Sequence, residues 1–157
     1  MEKVKVKAVL NDGCKLPNYE TKGAAGMDLR ANVKEKIRYM YKCERDGGKL
    51  VLNPGARVLF GTGLHIQLPD GYEAQIRPRS GLSLKYGIVC MLGTVDSDFT
   101  GEIGLIIFNL GDEPYTVTDG DRLAQMVICK VAKAEFEVVE SLDETERGSG
   151  GFGHTGT

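Results

Sequence analysis

Tryptophan is absent from this chain, proline is scarce and histidine occurs only at positions 65 and 154. His65 and His154 alone disfavour a histidine-rich metal site and leave little material for a Ser-His-Asp triad. Four cysteines, Cys14, Cys43, Cys90 and Cys129, stand far apart, so no Cys-x-x-Cys pair or zinc-knuckle spacing exists. No apolar run reaches membrane-spanning length and no secretory leader is evident. The expectation is therefore reduced thiols in a cytoplasmic, intracellular protein with no membrane partner. A basic excess is also lacking: formal net charge is -2, which argues against nucleic acid as a partner. An anionic ligand would have to be met by a local cluster of Arg, Lys and backbone N–H groups.

What is present suits one domain with a real core: 157 residues, 41% hydrophobic and 27% charged. The 21 glycines, with few long amphipathic runs, point to turns and strands. KVKVKAVL alternates Val4, Val6, Ala8 and Leu10 against lysines and predicts a half-buried strand. GAAGMDLRA enters a second short strand. Residues 37–55 read as two strands around a turn at Asp46-Gly47-Gly48, followed by a Pro54-Gly55 turn. Leu64, Ile66 and Leu68 share a face, Pro69-Asp70-Gly71 turns, and Tyr72, Ala74 and Ile76 resume the alternation. SGLSLKYG is the only plausible helical turn. A hairpin then precedes a buried strand from Ile103 to Leu110, and a Gly120-Asp121 turn leads into RLAQMVICKV. Phe136, Val138 and Val139 favour a strand over a helix in 134–142. The whole reads as an all-β chain of many short strands.

Five segments carry chemistry. RPRSG (Arg77 to Gly81) offers two arginines, a hydroxyl and a glycine, a phosphate cradle or simply a basic surface turn. GTVDSDFTGE holds Asp96, Asp98 and Glu102 beside Phe99, so one carboxylate is placed to deprotonate a water, unless all three are solvated turn residues. Asp28 stands alone between apolar residues, where it bonds nearby backbone or serves a metal held by phosphates. Gln125 lies within a strand, satisfying backbone or reaching a ligand. The ending RGSGGFGHTGT has no Gly-Lys-Ser/Thr, no preceding strand and no following helix, so it is not a Walker A loop. Taken alone a glycine-rich end is a loose end. Yet its glycines let backbone N–H groups wrap phosphate, Arg147 adds a cation and Phe152 a face for a base. His65 has no catalytic role in this reading.

In order, AAGMDLRA, RPRSGLSLKYG, GTVDSDFTGEIG, GDRLAQM and RGSGGFGHTG resemble the five motifs of the trimeric dUTP pyrophosphatases (dUTPases), from about Ala24 to Gly156. The resemblance implies a jelly-roll-like, β-clip barrel assembled as a homotrimer. One β domain would span residues 1–146, and a flexible arm, 147–157, would close over the active site. Each site would take motifs one, two and four from one subunit, the hairpin of motif three from a second and the arm of a third. The implied reaction is hydrolysis of dUTP to dUMP and pyrophosphate, which limits uracil in DNA and supplies dUMP for dTMP synthesis.

By the same resemblance, Asp96 bonds the deoxyribose 3'-hydroxyl and acts as general base toward water, while Gln125 reaches the phosphates and helps order that water. Arg79, Ser80 and Gly81 contact phosphate. Gly93, Thr94 and Val95 belong to the hairpin that reads uracil through backbone groups, and Phe99 presses on the sugar. Arg147 and the backbone through Gly153 and Thr155 close over the β- and γ-phosphates, with Phe152 stacked on uracil. Mg2+ is the implied cofactor, bound by the triphosphate, with Asp28 holding it through water. The family usually has tyrosine where Phe99 stands and serine where His154 stands. Segment Val33 to Leu50 is longer than the family's usual connection and reads as an extended hairpin. Two alternatives stand beside this reading: a dCTP deaminase of the same fold, against which the RGSGGFG arm and the VDSDF hairpin argue, and a dUTPase-like regulatory binding protein.

Overall fold

In the computed structural model, which describes residues 2–35 and 37–151, ten strands and one short helix form two antiparallel sheets. The strands are β1 (Lys7–Leu10), β2 (Met27–Arg30), β3 (Tyr39–Asp46), β4 (Lys49–Gln67) and β5 (Tyr72–Pro78). After helix α1 (Ser80–Tyr86) come β6 (Ile88–Cys90), β7 (Gly93–Val95), β8 (Glu102–Asn109), β9 (Tyr115–Val117) and β10 (Arg122–Lys130). The larger sheet runs β1-β4-β8-β6, with β3 and β9 also paired to β4; the smaller runs β2-β10-β5-β7. No helix of the described residues is long and apolar enough to cross a membrane.

Alternation builds the core. Along β8, Ile103, Leu105 and Ile107 point inward and are all but fully buried, while Gly104, Ile106 and Phe108 point outward. The smaller sheet turns Leu29, Ala74, Ile76, Val95, Ala124 and Met126 into the same core, which also holds Phe60 and Leu64 of β4. Each such Leu or Ile contributes about 1.5–3 kcal/mol through burial.

Several expectations meet corrections. Pro54-Gly55 does not reverse the chain: β4 runs through it as a bulge, with Leu52 opposite Cys43 and Arg57 opposite Tyr41. Gly55 at φ 77 and Lys42 at φ 53 absorb the extra residues. The strand expected from Lys3 is shorter, Lys7–Leu10, and its Ala8 is exposed. The strands flanking Met91-Leu92 are not a paired hairpin. β6 pairs with β8 in one sheet and β7 with β5 in the other, so this connection crosses between layers. The strand expected to reach Leu110 stops at Asn109, alternates rather than being buried throughout, and leaves Leu110 exposed. No strand forms over 134–142; the chain there is irregular, with Phe136 and Val138 almost fully exposed. The alternation is real but no neighbouring strand among the described residues satisfies its backbone. The segment from Val33 to Leu50 contains β3, the Gly47-Gly48 turn and the start of β4, an extended hairpin.

Candidate active site

Strand β10 lies between β2 and β5, and its register places Gln125 directly opposite Asp28 on one side and Arg77 on the other. Cross-strand partners share a face, so Asp28 and Gln125 project together. The Gln125 amide donates to the Pro78 carbonyl at 3.0 Å, which fixes it where β5 ends. A β-carbon at Gly26 would fall onto the Gln125 amide oxygen, so this glycine makes room for the glutamine. After Pro78 the chain leaves the sheet in extended geometry at Arg79 and enters α1 at Ser80. The first N–H groups of a helix have no acceptor within it, which leaves those of Ser80 and Gly81 without intrahelical partners. The Ser83 hydroxyl lies 3.2 Å from the Arg79 carbonyl and 3.3 Å from the Ile88 carbonyl, so its one proton serves either end of α1. Gly87, at φ 67, ends the helix where a side chain would strike the Gly111 backbone.

These elements enclose an open recess of about 480 Å³ in which Asp28, Arg79, Ser80, Gly81 and Gln125 meet. Asp28 is its electrostatic centre. One carboxylate oxygen lies 3.1 Å from Arg79 Nε, the other 2.9 Å from Arg122, and Arg79 also donates to the Arg122 carbonyl at 2.9 Å. Glu20 approaches Arg122 at 3.9 Å. The ionisable lining is thus Arg79, Lys85 and Arg122 against Glu20 and Asp28, a local cationic excess in a chain of net charge -2.

Sequence reasoning did not single out Arg122, Lys85, Tyr86 or Glu20. The signal for Arg122 was its place three residues before Gln125 in GDRLAQM. Only one of the two RPRSG arginines serves the recess: Arg77 turns along its own strand and donates to Gln75.

The hairpin residues lie elsewhere. Gly93, Thr94, Val95, Asp96 and Phe99 are not part of the recess lining. Val95 is buried in the core, so only its backbone is available to a ligand. Its Cys90 lies at the start of this connection, and burial pushes that thiol up to about 12, which keeps it protonated and unreactive. A turn closes from the Phe99 N–H to the Asp96 carbonyl at 3.2 Å. Asp96 is exposed and forms no ion pair among the described residues. Glu102 is engaged already: it accepts the Gly63 N–H at 2.8 Å and pairs with Arg38 at 3.0 Å, so it is a structural acid. Arg147 curls onto its own loop, donating to the Gly150 carbonyl at 2.9 Å. Phe152, Gly153, His154 and Thr155 lie outside the described residues.

The family model for dUTPase matches residues 48–156. This chain belongs to the dUTPase family. It is 48% identical to the deoxyuridine 5'-triphosphate nucleotidohydrolase of Fusobacterium nucleatum over 99% of each chain. It is 52% identical to that of Roseobacter denitrificans over 90% of this chain and 86% of the relative. Among solved structures, the Staphylococcus bacteriophage 80alpha dUTPase with dUPNHPP superposes with a TM-score of 0.80 at 25% identity, covering all of both chains. On this dUTPase-family chain, segments resembling motifs one, two and four build the recess, and the segment resembling motif three forms the separate turn.

Proposed function

We propose that this chain hydrolyses dUTP to dUMP and pyrophosphate by in-line attack of water on the α-phosphorus. The observation that carries the reading is the recess, where Arg79, Ser80, Gly81 and Gln125 converge beside the clamped Asp28. Phosphoryl chemistry of this kind needs positioning and charge neutralisation more than a protein nucleophile. Arg79 and the N–H groups at Ser80 and Gly81 hold phosphate oxygens. Gln125 orders the attacking water, and Asp96 removes its proton.

Because Asp96 lies outside the recess, the working site takes its turn from another copy, which supports a homotrimer with shared sites. Two surfaces favour such assembly. The larger sheet presents Tyr39, Leu59 and Ile106 in one outward row, and Tyr41, Arg57, Phe108 and Val89 in the next. The exposed Phe136 and Val138 likewise have nothing to pack on in one copy. A β domain through residue 146 with a closing arm from 147 to 157 follows the same reading, Phe152 covering the base and Gly153 and Thr155 the phosphates. Four free cysteines, three half-buried and one buried, suit a reducing, cytoplasmic setting.

The donor set fits Mg2+. Among the described residues no group of three His, Cys, Asp or Glu side chains forms a protein cage. Magnesium retains waters and favours substrate phosphates. Each Asp28 oxygen meets one guanidinium and keeps a lone pair for a water, so Asp28 would hold the ion at one remove. Bound Mg2+ would fix the triphosphate and offset charge on the leaving pyrophosphate.

The test is a nucleotide panel of dUTP, dCTP, dTTP and UTP, with and without Mg2+. Pyrophosphate released from dUTP alone, and only with the metal, supports the proposal. Ammonia from dCTP would replace it with deamination, and an inert intact trimer would leave a binding protein.

A further inference from the structure

Phe99 has no hydroxyl, so nothing polar holds its ring, and the orientation of that ring depends on what it packs against. A β-carbon built on Gly101 would lie 2.7 Å and 2.9 Å from two atoms at the far end of the Phe99 ring. In its absence the ring lies directly over the chain two residues on. That backbone is itself anchored, because the Thr100 carbonyl meets His65 Nδ1 of β4 at 3.3 Å. The other side of the turn is closed by the Phe99 N–H to the Asp96 carbonyl. The ring is therefore held between a fixed turn and a bare backbone, and remains 43% exposed toward whatever the turn meets.

We infer that Gly101 is a specificity-determining positioning residue, whose missing side chain seats the Phe99 ring at the depth that admits a deoxyribose and rejects a 2'-hydroxyl. This rests on the reading of Phe99 as the sugar contact given above. Gly101 has no positive φ, and the clashing atoms belong to a flexible side chain, so Gly101→Ala moves the ring without straining the backbone. Moved off that seat, the ring no longer matches the sugar, which loosens its fit to dUTP and blurs the distinction from UTP. One misplaced methyl in a close pocket changes discrimination by about tenfold or more.

The experiment measures kcat/KM for dUTP and UTP, and equilibrium binding of dUMP and UMP, in a double-mutant cycle of Gly101→Ala and Phe99→Leu. Thermal unfolding monitors the fold of every variant. The expected result is that Gly101→Ala lowers the deoxyribose preference about tenfold in the Phe99 protein, yet leaves it within about twofold in the Phe99→Leu protein, where the ring is gone. An unchanged preference in Gly101→Ala overturns the inference. So does an equal loss in both backgrounds, which would make Gly101 a structural residue. Wild-type dUTP turnover separately tests the underlying reading: inert wild-type protein sinks that reading, whereas an active protein with an additive cycle sinks only the role of Gly101.

Discussion

In the recess, Asp28 is held between Arg79 and Arg122 at 3.1 and 2.9 Å; in the turn, Asp96 carries an exposed carboxylate with no ion pair among the described residues. Two aspartates of one chain thus occupy opposite electrostatic situations. A carboxylate with each oxygen on a guanidinium is committed to holding charge in place. One that is exposed and has no ion pair among the described residues is open to a water or a ligand but cannot by itself orient a phosphate. The proposed mechanism gives binding and charge to the recess and proton transfer to the turn.

The largest effect should come from the turn. Asp96→Asn keeps the shape and removes the base, so kcat should fall about 10²–10⁴-fold while dUTP still binds. Normal turnover in that variant would erase the contrast between the two aspartates. Removing residues from Arg147 onward should come next, with kcat/KM for dUTP down about 100-fold and the trimer intact on sizing chromatography. Full activity in the shortened protein would return the tail to a loose end.

Asp28→Asn should act differently from Asp96→Asn. With the clamp weakened and one charge lost, the Mg2+ concentration for half-maximal activity should rise about 10–100-fold, the range seen when an outer partner of a metal is removed. An unaltered metal requirement would leave Asp28 a purely structural acid.

The smallest effect concerns stability. Cys90 has its thiol raised by burial, so the folded state holds that proton more tightly than the unfolded chain does. Its contribution is complete below the ordinary thiol value of about 8.5, and it is lost as pH rises toward about 12. Urea midpoints should decline over that alkaline window, less steeply in Cys90→Ala, and equal slopes would remove Cys90 as a cause.

Much of this was readable from residue order. The alternation in β4, β5 and β10, the turns at Gly47-Gly48 and Gly71, and the short helix all follow from local chemistry. The recess residues Asp28, Arg79, Ser80, Gly81 and Gln125 were legible because each lies in a compact motif. What was not legible depends on distant partners. β6 and β7 look like a hairpin in sequence, but β8 and β5 claim them separately. The segment at 134–142 alternates like a strand yet lacks a neighbouring strand among the described residues. β9 has three residues, too few to show a period. Arg122 reads as a surface strand residue, and the β2–β10 register pairs it with Arg30; only its long side chain brings it onto Asp28.

The separation of recess and turn is tested most directly by mixing two inactive proteins, Gln125→Ala and Asp96→Asn, and reassembling them. If a site joins one copy's recess to another copy's turn, some mixed sites carry neither defect, and about a quarter of wild-type activity should return. Each protein reassembled alone should stay inactive. No recovery on mixing, with mixed trimers demonstrated by differential tags, would mean that both groups act within a single chain and would contradict the account.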